Sequence, residues 1–95
     1  MSINFEFDPA KSATNKIKYG LDFVEVQALW QGKRVEVPAK LAGGEVRYAV
    51  FGKIKGVHHT AIITYRGAIV RIISARLSSE NERAIYEQQT KNSKP

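Results

Sequence analysis

The sequence predicts an α+β domain, an antiparallel β-sheet packed against helices in the order β-α-α-β-β-β-β-α. Three observations carry that prediction. Between Val46 and Ala75, runs rich in Val, Ile, Thr, Tyr and Phe are separated by short glycine-containing turns, the pattern of a meander. The flanking segments begin with helix-capping residues instead. The length, 95 residues with 43% hydrophobic, suits one compact core and leaves no room for a second.

The elements follow in order. Ile3, Phe5 and Phe7 alternate with Asn4 and Glu6, the period of a short half-buried strand. Asp8-Pro9 opens a helix, with Asp8 at the cap and Pro9 where its missing N–H costs nothing; Gly20 stops it after Tyr19. Asp22 with Glu25 forms a capping-box pattern for a second helix that would bury Phe23, Val26, Leu29 and Trp30, with Trp30 read as a core anchor. Arg34 to Val37 is a short strand closed by Pro38, which suggests a sheet edge, and Ala39 to Glu45 is a loop. Val46–Phe51, Val57–Tyr65 and Ala68–Ala75 read as strands, joined by turns at 53–56 and at Arg66-Gly67. Ser79 with Glu82 starts a final helix to about Gln89. Residues 1–90 are expected to form the single domain and 91–95 a flexible tail.

Composition excludes several classes. No apolar run approaches the ~20 residues of a membrane span, and MSINFEFDPAK lacks the apolar segment of a signal peptide. There is no cysteine, hence no disulfide, thiolate metal site or cysteine nucleophile. His58 and His59 alone do not make a metal site. The expectation is a cytoplasmic protein without a cofactor.

Net charge is +6, unevenly spread. Residues 1–45 balance six basic with six acidic side chains, whereas 47–79 carry Arg47, Lys53, Lys55, Arg66, Arg71 and Arg76 and no acid. A solvated basic face would account for this, but the missing counter-charge favours a field built for phosphates or an acidic partner. Taking Ile54-Lys55 and Arg66-Gly67 as two-residue hairpin loops sets Arg47 opposite Ile62 and Ile62 opposite Arg71. One face then carries Arg47, Ala49, Phe51, His58, Thr60, Ile62, Thr64, Arg71 and Ile73. The other, more apolar, carries Val46, Tyr48, Val50, His59, Ala61, Ile63, Tyr65, Val70, Ile72 and Ser74, and should pack on the helices. Arg66, in the turn, and Arg76, at the strand end, are forced to neither face. In a plain strand Arg71 and Arg76, an odd number of residues apart, point to opposite sides.

These residues also carry a family resemblance. FEFDPAK, Asn15, KYG, LDFVEV, GGEVRY, Gly52 and above all YRGAIVRIISAR followed by SSENERAIYE resemble the BrnT ribonuclease toxins, related in fold to the RelE toxins. Tyr19 departs from the family's KHG motif, and residues 39–44 have no matched pattern. The resemblance implies a small cytoplasmic endoribonuclease that cleaves RNA without metal and halts translation. It implies a ribbon-helix-helix (BrnA-like) antitoxin that covers the site, and repression of the operon through operator DNA contacted by the antitoxin.

Metal-free RNA cleavage needs a base for the 2′-hydroxyl, donors for the charged phosphorane and an acid for the leaving 5′-oxygen. Arg66, Arg71, Arg76 and Arg47 are the candidates for the phosphate, because guanidinium donates two parallel bonds and stays charged; each could instead pair with an acid such as Glu82. His58 has a side chain that titrates near neutral pH, and Tyr86 matches the family's terminal-helix tyrosine; an ordinary strand histidine and a packing aromatic are the alternatives. Glu45, Glu82 and Arg83 could act as base or orienting groups, or simply as ion-pair and cap residues. Lys11, Lys16, Lys18, Lys53 and Lys55 are candidates for the RNA backbone, or a solvated basic face. A non-catalytic nucleic-acid- or partner-binding module on the same scaffold is the competing reading.

Overall fold

A computed structural model describes residues 3–40 and 43–91; Leu41 and Ala42 of the expected loop and residues 92–95 of the expected tail lie outside the described residues. Capping chemistry fixes the helices where the sequence places them. Helix α1 spans Pro9–Tyr19, with Asp8 Oδ1 accepting from Ala10 N at 2.8 Å. Gly20, at φ 77°, takes the left-handed turn that ends it, donating its N–H to Lys16 O at 2.9 Å. Asp22 and Glu25 form the reciprocal box: Asp22 Oδ1 accepts from Glu25 N at 2.8 Å, and Glu25 Oε1 from Asp22 N at 2.9 Å. The element they open is a 3₁₀ helix, Glu25–Gln31. The three-residue spacing of Phe23, Val26 and Leu29 matches its period of three and lines these buried side chains on one side. Helix α2, Glu80–Lys91, opens on the same device: Ser79 N donates to Glu82 Oε1 at 2.8 Å and Glu82 N to Ser79 Oγ at 3.2 Å.

Among the described residues, five strands make one sheet: β1 (Phe5–Glu6), β2 (Val35–Pro38), β3 (Tyr48–Ile54), β4 (Val57–Arg66) and β5 (Ile69–Leu77), in the order β1-β5-β4-β3-β2. The strand closed by Pro38 is an edge, as expected. The sheet is not wholly antiparallel, because β1 runs parallel to β5, pairing Phe5 with Val70 and Glu6 with Arg71.

Both hairpin loops fall one residue later than the sequence suggested. Ile54 pairs with Val57, leaving Lys55-Gly56 as the loop, both at positive φ (51° and 79°) as a type I′ turn demands. Arg66 pairs with Ile69, leaving Gly67-Ala68, with Gly67 at φ 60° in the first position. Ile62 therefore faces Ala49 and Ser74, not Arg47 and Arg71, and Arg66 is the last residue of β4 rather than a turn residue. Each correction moves a register by two, so strand parity, and with it the assignment of faces, survives as far as Ile72; Ser74, expected on the apolar face, lies on the other.

On one face Val50, Ala61, Ile63, Val70 and Ile72 meet Leu21, Phe23, Val26 and Leu29 in the main core. Helix α1 joins this face through polar bonds: Ser12 Oγ accepts from Phe23 N (2.9 Å), Asn15 Nδ2 donates to Leu21 O (2.7 Å), and Asn15 Oδ1 accepts from Ala75 N (3.2 Å). Helix α2 lies on the opposite face, over β2 and β3, where Tyr86 and Ile85 pack with Ala49, Phe51, Val35 and Val37.

Candidate functional site

One irregularity organises the site. Ile63 pairs with Ile72, but Ile62 pairs with Ser74, so Ile73 is an extra residue in β5. This bulge inverts the parity of everything after it. Ala75, not Ser74, enters the main core opposite Ala61, and Arg76 faces Thr60. Arg71 faces Thr64, two β4 residues before Arg66. Arg66, Arg71 and Arg76 therefore share the face that carries α2, on the β4–β5 half beside it.

The acids missing from 47–79 arrive from elsewhere in the chain. Arg71 Nη1 donates to Glu6 Oε2 at 2.9 Å, and Arg66 Nε lies 3.7 Å from the same oxygen. Arg66 Nη2 also reaches Glu45 at 3.4 Å. Arg76 makes a two-pronged pair with Glu82, at 2.7 and 2.9 Å. Thr60 Oγ1 donates to Glu82 as well, at 2.9 Å. The Arg76 guanidinium, then the Ser79 N–H and Thr60, hold the Glu82 carboxyl at about 2, and Glu82 in turn raises Arg76. Glu82 is thus an ionised positioning group for Arg76 and a poor base. Arg47 lies one residue before β3; its Nε is enclosed and has no hydrogen-bond partner among the described residues.

The other predicted residues fall elsewhere. His58 lies six β4 residues from Thr64, so about 20 Å from the Arg71 row. Its Nε2 donates to Glu87 Oε2 at 2.7 Å, and Lys53 reaches the same carboxylate at 3.2 Å; the two lower the Glu87 pKa. Tyr86 is buried, with its hydroxyl donated to Lys33 O at 3.2 Å and its ring edge-on to His58. Lys55 sits in the β3–β4 turn. Lys16 is held by Glu25 at 2.8 Å, whereas Lys11 and Lys18 line a groove of about 260 Å³ between α1 and β5, together with Tyr19, Ser74 and Arg76. Tyr65 is no proton carrier near neutral pH: burial and then its hydrogen bonds to Glu36 push it up to about 12.

Glu6 is the residue that sequence reasoning missed. Its signal was present, since it is the acid on the polar side of the Phe5/Phe7 alternation, but nothing local says that this side meets two arginines.

Guanidinium groups from two strands on an open sheet face, flanked by a lysine-lined groove, give this domain the chemistry of an anion-binding protein. Residues 7–82 match the family described as "Ribonuclease toxin, BrnT, of type II toxin-antitoxin system", and the chain belongs to that family. Ribonuclease activity and pairing with an antitoxin are properties of the family. The match includes every arginine of the face, while Glu6 and Tyr86 lie outside it. No curated protein matches the chain. Among the described residues, no helix is long and apolar enough to cross a membrane.

Proposed function

We propose that this chain is a metal-independent endoribonuclease that inhibits translation by cutting RNA, with the scissile phosphate held on the open sheet face by Arg66 and Arg71. The convergence of both guanidiniums on the single Glu6 carboxylate carries this reading, because the pair is already spaced to grip one small oxyanion. A phosphate entering there takes the place of Glu6 on Arg71. Glu6, released but adjacent, accepts the proton of the 2′-hydroxyl as that oxygen attacks phosphorus. The arginines stabilise the charge of the phosphorane. The bond to the 5′-oxygen breaks, and that oxygen takes a proton from water at the open face. The products are a 2′,3′-cyclic phosphate and a 5′-hydroxyl end. Arg76, fixed by Glu82, and Arg47 bind the strand further along, with Lys11 and Lys18 on its backbone. His58 and Tyr86, at the far end of β4 and under α2, carry no step.

A ribbon-helix-helix antitoxin neutralises the protein by covering this face, and the complex contacts operator DNA through the antitoxin. The test is incubation of the purified protein with synthetic RNA in EDTA, beside Arg71→Ala. Cleavage by the parent alone supports the reading; equal cleavage by both, or by neither, overturns it.

The competing reading is a binding module without catalysis. It is favoured by one observation, that Arg66, Arg71 and Arg76 each carry an ion pair within the fold. Binding of RNA without cleavage in the same assay would select it.

A further inference from the structure

Helix α1 breaks the usual rule for a helix packed on a sheet. A surface helix normally turns apolar residues at i, i+3, i+4 and i+7 toward the core. Here that stripe reads Lys11, Thr14, Asn15 and Lys18, and all four line the groove beside β5. The helix's apolar Ile17 points away, 86% exposed, and its buried side chains are Ser12 and Asn15, held by the polar bonds described above. The lysines of the helix are also sorted. Lys16 is neutralised by Glu25, whereas Lys11 and Lys18 form no ion pair among the described residues. Among the described residues, the groove lining includes no carboxylate. Tyr19 stands at it 48% exposed, with Lys18 Nζ 5.8 Å from its ring centroid. Arg76 belongs to both the groove and the arginine face, so the two surfaces are continuous.

We propose that the groove between α1 and the second half of β5 is a subsite for one nucleotide of single-stranded RNA, with the base stacked on Tyr19 and its phosphate held by Lys11 and Lys18. The inference rests on the reading of RNA as the substrate and adds to it a base-contacting residue. Its size sets the ligand: about 260 Å³ lies below the roughly 300–1,000 Å³ of sites that enclose drug-sized molecules, which limits it to a single nucleotide unit. An aromatic face beside cations is what a flexible strand uses to dock successive bases, and stacking tolerates any base identity. Tyr19 is therefore a binding residue and not a catalytic one.

The experiment is an amide-resolved NMR titration of the full chain with adenosine 3′,5′-bisphosphate, and with inorganic pyrophosphate as the charge-only probe, for the parent, Tyr19→Ala and Tyr19→Phe. The expected result is shifts at Thr14, Lys18, Tyr19 and Ser74. Tyr19→Ala should lose at least about fivefold in affinity, the lower end of what one base–aromatic stack is worth, and Tyr19→Phe should match the parent. Shifts confined to the Arg66–Arg71 region, unchanged affinity in Tyr19→Ala, an equal loss in Tyr19→Phe, or equal affinity for pyrophosphate would each overturn the proposal. RNA cleavage by the parent, measured alongside, separates the two ideas. Cleavage without groove binding sinks the subsite alone, and groove binding without cleavage sinks the nuclease reading alone.

Discussion

Arg71 and Arg76 point to the same side of the sheet although they stand five positions apart, an odd spacing. The cause is Ile73, which sits in β5 without a partner in β4 and turns the rest of the strand over. Deleting Ile73 should restore a plain ladder in which Ala75 still faces Ala61 and Arg76 still faces Thr60, because the extra residue alone is removed. The deletion variant is therefore expected to keep cooperative thermal unfolding by circular dichroism. A variant that no longer unfolds cooperatively would show that the register of β5 depends on more than the single extra residue.

Glu6 and the arginine pair make a second prediction, in which binding and chemistry move in opposite directions. Glu6→Gln removes the charge that competes with a phosphate and also removes the proposed base. RNA affinity measured at fixed salt should rise, while the cleavage rate should fall by roughly 10²- to 10⁴-fold, the range for loss of a general base. A variant that binds more weakly and cleaves as fast would remove Glu6 from the mechanism.

The Arg76–Glu82 pair predicts how stability depends on pH. The folded Glu82 carboxyl titrates at about 2, below its ordinary value of 4.5. The stabilisation it brings is therefore complete above about pH 4.5 and drains away as pH falls toward 2. Glu82→Gln should cost on the order of 2 kcal/mol at pH 7, through loss of charge-assisted hydrogen bonds. That difference from the parent should shrink between pH 4.5 and 2 in urea titrations; a gap that stays constant over the window would contradict the assignment. Arg76→Ala, which strands Glu82, should also destabilise. By contrast, the exposed pairs of Arg66 are worth about 0–1 kcal/mol, and the half-buried Arg71–Glu6 pair, held by a single hydrogen bond, about 1 kcal/mol.

Gly52 is where the 3₁₀ helix meets β3. A Cβ there would stand 3.0 Å from Leu29 Cδ2, tighter than ordinary contact. Gly52→Ala should destabilise by about 1–3 kcal/mol through overpacking, read as a lower urea midpoint. An unchanged midpoint would mean that Leu29 moves aside freely.

The legible and illegible parts of this fold divide by sequence distance. Asp8 with Gly20, Asp22 with Glu25 and Ser79 with Glu82 announce helix ends because cap and partner are neighbours in the chain. Strand parity was legible too, since Val50, Ala61 and Ile63 alternate with Ala49, Thr60 and Ile62. The bulge at Ile73 was not, because it exists only as a mismatch between two strands. The neutralising acids were hidden for the same reason: Glu6 lies 65 positions from Arg71, so a segment with no acid in sequence has one in space. The parallel pairing of β1, which delivers Glu6, rests on a contact of that same range.

The measurement that bears most directly on the arginine face is RNA cleavage in EDTA by the parent, Arg66→Ala and Arg71→Ala, each with its thermal midpoint. Both variants should lose cleavage by at least about a hundredfold, the scale of removing one donor to a developing oxyanion, while their midpoints stay within a few degrees of the parent. Variants that cleave at the parent's rate, or that lose activity only because they unfold, would contradict that expectation.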